Sequence, residues 1–244
     1  EDNTRFYQIV LLEIARKNFK TFVSAVIFII GMLTEPQFSR FFSVAPDLKL
    51  SKELQIAVRK IIKSSPLLPT TGRKKVFSLL RAEIRCDITD SEYTPLAYSQ
   101  DKMDGKLANM FLADEVGAMD SYPVEAMSSS QITLKNKLGI IISTQYPNDD
   151  NGLTDEIDKS KKVLDNLSMN KRRFSLLYEP DVEFMEGDAW KTNDLVLYQA
   201  NPVAYAHSHI MEALIEKRED AIIYENKRQN FLCKHCNIKF KSLG

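Results

Sequence analysis

Two carboxylates, Asp114 and Glu115, close the apolar run Met110-Phe111-Leu112-Ala113, and Gly117 follows shortly after. Such a run reads as a buried strand of a parallel sheet, and open α/β sheets bind their ligands at the carboxyl ends of their strands. There one acid can hold a magnesium ion while its neighbour orients or deprotonates a water, the equipment of a nucleoside-triphosphate hydrolase. A second cluster, Ala15-Arg16-Lys17-Asn18-Phe19-Lys20-Thr21, separates an apolar run from a greasy helix. Strand, turn, Lys-Thr, helix is the layout of a phosphate-binding loop. Its chemistry needs backbone N–H groups at a helix N-terminus, a lysine for the outer phosphates and a hydroxyl for magnesium. Lys20 and Thr21 stand in those places. Ile14 and Phe19, however, hold positions usually given to glycine, and Phe19 is ill-suited to a positive φ. On pattern alone the plainer reading, a basic turn before a buried helix, outweighs the phosphate loop. A third cluster, Ser143-Thr144-Gln145, ends the next apolar run and could sense a γ-phosphate, though Ser-Thr is a common strand terminator.

These side chains need a frame. Gln8–Glu13, Phe41–Ala45, Met110–Asp114, Leu138–Ser143 and Arg173–Tyr178 read as strands, with three short pieces (Val76–Leu80, Arg85–Ile88, Leu96–Tyr98) between them. Helices are expected over Phe22–Thr34, after Ser51 as N-cap, over Tyr122–Ser128 and over 154–166. Strands alternating with helices predict an α/β protein: a mostly parallel sheet covered on both faces. After about residue 180 the pattern turns helical, near 207–218 and 220–233. The expected division is therefore 1–180 for the sheet domain and 181–244 for a small helical subdomain, with Trp190 anchoring one to the other.

Composition bounds the class. The chain has 244 residues, 44% hydrophobic and 27% charged, with zero net charge. That is enough for a sizeable core and argues against a protein coated in positive charge, while leaving room for a local basic patch. The three cysteines suggest a reducing compartment without a disulfide framework. The apolar stretch Phe22–Leu33 is well short of the roughly 20 residues needed to cross a bilayer, so no membrane span is expected. Cys233 and Cys236 form a C-x-x-C, but zinc needs two further ligands and only His207 and His209 are on offer. The segment reads better as a helix end with small apolar cysteines, and the two histidines as a solvated helix start. Lys171-Arg172-Arg173 reads as a solvated strand entry, with phosphate or subunit contact as the alternative.

Taken in order, these segments resemble one family, the large terminase subunit of tailed double-stranded-DNA phages. ARKNFKT (15–21) resembles its cationic phosphate loop, usually written with a glycine before the lysine. FFSVAP (41–46) is similar to the strand after the first helix, DGKLANMFLADEVG (104–117) to the segment with the acidic pair, and LGIIISTQYPN (138–148) to the coupling segment. YENKRQNFLCKHCN (224–237) looks like the end of the linker region.

The resemblance implies a P-loop ATPase that drives DNA packaging. Lys20 would bind the β/γ phosphates, with Arg16, Lys17, Asn18 and Phe19 around the triphosphate. Thr21 and Asp114 would hold magnesium, and Glu115 would activate water. Ser143, Thr144 and Gln145 would couple hydrolysis to movement. Family motors form homo-oligomeric rings in which a neighbour's cation completes the site; Lys102 is the candidate, with Arg81 and Arg85 behind it. Implied partners are double-stranded DNA, the portal protein and the small terminase subunit, in the host cytoplasm. The family's nuclease domain would begin where this chain stops, and an adenine-contacting segment would precede its start, so no nuclease activity is expected. Rivals are a helicase-like translocase and a non-hydrolysing interaction module that kept the fold.

Overall fold

The computed structural model describes residues 4–98, 103 and 105–240. Eight strands form one sheet in the order β3-β4-β5-β2-β6-β7-β1-β8. They are β1 (Ile9–Glu13), β2 (Arg40–Ala45), β3 (Phe77–Leu79), β4 (Ile84–Cys86), β5 (Ser91–Ala97), β6 (Met110–Asp114), β7 (Leu138–Ser143) and β8 (Arg173–Leu177). From β5 to β8 every pairing is parallel; β4 runs antiparallel to both β3 and β5. The expected mostly parallel sheet is therefore what forms.

Helices α1 (Lys20–Thr34) and α2 (Leu48–Ser64) cover one face, where Phe28, Met32, Leu54 and Val58 meet Phe41, Met110 and Ile140. Helices α3 (Tyr122–Ser130) and α4 (Gly152–Leu164) cover the other, where Val124, Met127 and Leu153 meet Phe111, Ala113 and Ile141. Successive side chains of a strand point to opposite faces, so a strand buried on both sides must be apolar throughout. That requirement is why β6 and β7 are continuous apolar runs.

Two expectations shift. Asp47, not Ser51, caps α2: its carboxylate accepts from Leu50 N–H at 2.8 Å. Ser51 lies inside the helix and turns inward, its hydroxyl donating to the Ser43 carbonyl at 2.9 Å. The last short strand starts earlier, at Ser91, and includes Pro95. Proline is tolerated there because β4 pairs β5 only through Tyr93, leaving the outer side of Pro95 without a ladder.

Beyond β8 come three short helices, α5 (Val182–Met185), α6 (Ala189–Thr192) and α7 (Asp194–Ala200), then α8 (Ser208–Ile223) and α9 (Glu225–Cys236). They bury an apolar cluster of their own, and Trp190 belongs to it, packed on Phe231 at 5.9 Å between ring centroids. It anchors the helices to one another rather than to the sheet. Cys233 and Cys236 are buried in α9 with free thiols, and no group of metal-ligating residues forms among the described residues. Arg173 pairs with Glu156 at 2.7 Å, both side chains nearly buried, so that member of the basic cluster is structural. No helix among the described residues is long and apolar enough to cross a membrane.

Candidate active site

Strands β6, β7 and β1 are neighbours, so parallel pairing brings the three polar clusters onto one edge of the sheet. After Glu13 the chain turns through 14–19 and enters α1 at Lys20. Backbone bonds hold the turn: Ile14 N–H donates to the Ser143 carbonyl at 3.2 Å, Ala15 N–H to Ala200 at 3.3 Å and Arg16 N–H to Lys234 at 3.0 Å.

Within the turn, Lys17 (φ 67°) and Phe19 (φ 58°) both adopt the left-handed conformation. The objection to Phe19 is thereby corrected: the loop takes a glycine-like path without the glycine, at a cost of roughly 1–2 kcal/mol for a residue with a Cβ. Asn18 explains how the path is held. Buried between the two, it donates through Nδ2 to the Ala15 carbonyl at 3.1 Å and to Asn201 Oδ1 at 2.9 Å, and accepts from Val203 N–H at 3.2 Å. Its side chain is thus an anchor into the C-terminal helices. Phe19, the N-cap of α1, offers no side-chain acceptor, which leaves first-turn N–H groups of the helix open to an anion.

Lys20 Nζ lies 3.0 Å from Glu115 Oε1, in an ion pair largely shielded from solvent. Glu115 reaches it because its own backbone is left-handed (φ 54°), a rare state that turns the side chain back over the sheet edge. Its other oxygen, Oε2, accepts from the Tyr146 hydroxyl at 2.9 Å. Burial pushes the Glu115 carboxyl up, but the charge and hydrogen bond of Lys20, the Tyr146 hydroxyl and Lys234 together hold it below its ordinary value. Asp114 beside it accepts from Glu115 N–H at 2.8 Å. Burial pushes Asp114 up to about 6, against the pull of Lys20.

The Ser143-Thr144-Gln145 side chains do not face Lys20. All three are buried. The Ser143 hydroxyl accepts from Gly117 N–H at 3.0 Å and donates to the Thr144 carbonyl at 2.8 Å. Gln145 donates to Glu13 at 2.7 Å, and its own N–H donates to Asn237 Oδ1 at 3.2 Å. Lys234 of α9, 6% exposed, donates to Thr144 Oγ1 and to the Gln145 carbonyl, both at 3.1 Å. The segment is therefore wired to β1 and to the C-terminal helices. The sequence reading missed Tyr146 and Lys234; the only signal for the second was the Cys-Lys-His-Cys string, which drew attention to its cysteines. Lys102 lies outside the described residues. Arg85 is engaged by Glu83 and Glu92 at 3.2 and 3.0 Å on the far side of the sheet.

Residues 2–163 match the family described as terminase large subunit, ATPase domain. The chain belongs to that family. No curated protein matches the sequence. Among solved structures, the HK97 bacteriophage large terminase is similar with a TM-score of 0.79 at 20% identity, over 96% of this chain and 47% of that one. A point variant of the Thermus phage P74-26 large terminase ATPase domain gives 0.56 at 11% identity, over 95% and 89%. The large terminase of a thermophilic bacteriophage, solved with ATP-gamma-S, gives 0.51 at 11% identity, over 77% and 45%. This terminase ATPase chain thus spans about half the length of the HK97 protein.

Proposed function

We propose that this chain is the ATP-hydrolysing motor region of a DNA-packaging terminase, dividing into an ATPase domain over 1–180 and a linker subdomain over 181–244. The observation that carries the reading is the Lys20–Glu115 pair, closed at 3.0 Å on the sheet edge beside an uncapped α1. The phosphate lysine rests on the carboxylate that would activate water. On ATP binding, Lys20 would transfer to the β/γ oxygens, steadied by the α1 N–H groups with Arg16 and Lys17 nearby. Glu115, released from Lys20, would take a proton from the water attacking the γ-phosphorus in line, and ADP would depart. Thr21 and Asp114 are hard oxygen donors of the kind magnesium takes, one hydroxyl and one carboxylate, the rest of its shell coming from phosphate and water. Such an ion would neutralise charge on the outer phosphate oxygens.

Double-stranded DNA would be moved into a procapsid by a ring of these subunits on the portal protein, fed by the small terminase subunit in the host cytoplasm. A neighbour's cation, Lys102 being the candidate, would complete each site. Glu115→Gln tests the core of this. It should bind nucleotide within about twofold of wild type yet lose hydrolysis by about 10²–10⁴-fold, the usual worth of a general base. Hydrolysis at the wild-type rate would remove Glu115 from its role.

A further inference from the structure

Tyr146 stands between four parts of the site. Its hydroxyl donates to Glu115 Oε2 at 2.9 Å, and the charge of Arg16 on the phosphate loop acts on it. One side of its ring faces Gly117 so closely that a Cβ at that position would sit 2.3 Å from Tyr146 Cδ2. Lys234 Nζ lies 2.8 Å from the ring centroid. An ammonium has three donors; two of these go to Thr144 and the Gln145 carbonyl, and the ring takes the third side. A cation held over the face of a tyrosine fixes it by attraction to the π cloud, and the glycine leaves the ring no slack.

We infer that Tyr146 is the positioning residue for Glu115: clamped between Gly117 and Lys234, it keeps one carboxylate oxygen tied while the other is handed from Lys20 to the attacking water. The exchange is asymmetric by construction. Among the described residues Oε1 is bonded to Lys20 alone, which leaves when phosphate arrives; Oε2 is bonded to Tyr146, which has no reason to move. The carboxylate therefore keeps its orientation through the one step in which its strongest partner departs. A misplacement of about 1 Å in a reacting group can cost on the order of a hundredfold in rate, so a fixed second oxygen has a large effect to deliver.

This inference rests on the reading of Glu115 as the water-activating carboxylate, and the test separates the two. Tyr146→Phe removes the hydroxyl and keeps the ring. Single-turnover ATP hydrolysis and nucleotide affinity are measured for wild type, Tyr146→Phe, Glu115→Gln and the double variant. Tyr146→Phe should slow hydrolysis by about ten- to a hundredfold with affinity within about twofold, and should add nothing to the loss already present in Glu115→Gln. Gly117→Ala, which pushes the ring aside with its hydroxyl intact, should give the same split between rate and affinity. An unchanged rate in Tyr146→Phe, or an equal loss in the Glu115→Gln background, overturns the positioning role while leaving the Glu115 reading intact. Wild-type hydrolysis by Glu115→Gln overturns both.

Discussion

Phe19 and Glu115 share a backbone conformation that residues with a Cβ avoid, and they do so on opposite sides of one site. At Phe19 the strain is separable from packing, since the ring is 58% exposed. Phe19→Gly should therefore stabilise the fold by up to about 1 kcal/mol, part of the relief being offset by the greater freedom of glycine in the unfolded chain. The midpoint of urea unfolding checks this, and a fall would mean the exposed ring contributes more than its strain takes away. In the sequence, Phe19 looked like a defect because the glycine rule describes the cheapest way to make the turn. Nothing local to residues 15–21 announces Asn201, more than 180 positions away, as the group that holds it. Asp114 and Glu115 were legible for the opposite reason: a carboxylate pair ending an apolar run is a local signal, and the strand beneath fixes where it points.

At the scale of elements, β6 and β7 could be read from composition because a strand buried on both faces has no choice of residue type. The start of α2 and the bounds of β5 could not, since competing caps and an internal proline are settled by tertiary partners. Glu13 is an example of what the strand pattern hides. It ends β1 wholly buried, with Gln145 on one oxygen and, among the described residues, no hydrogen-bond partner on the other. Burial, reinforced by Glu179, raises its carboxyl from 4.5 to about 8. A raised pKa means that the folded state holds the proton more tightly than the unfolded chain. The stabilisation from that proton is complete below about 4.5 and is lost as pH rises through about 8. Glu13→Gln, which keeps the acceptor and cannot ionise, should gain on wild type steadily across that interval. Unfolding midpoints collected over the same range provide the check; a constant difference between the two proteins would mean that Glu13 is not buried as a neutral acid.

At the scale of the molecule, the cations that act on Glu115 among the described residues are Lys20 and Lys234, both from its own chain and both already bonded within it. A transition state that spreads charge over the γ-phosphoryl oxygens asks for one more. The isolated protein should accordingly turn over ATP slowly, and assembly on the portal should raise the rate by orders of magnitude, as added cationic fingers do in related phosphoryl transfers. Comparing steady-state turnover before and after assembly decides it; equal rates would mean that each subunit is catalytically complete.

The phosphate turn owes its shape to helices that follow it by nearly the whole length of the chain. Asn201, Val203, Ala200 and Lys234 grip residues 15–18 through side-chain amide and main-chain bonds alone. A pull on the C-terminal helices would therefore reach residues 15–18 directly, through those bonds.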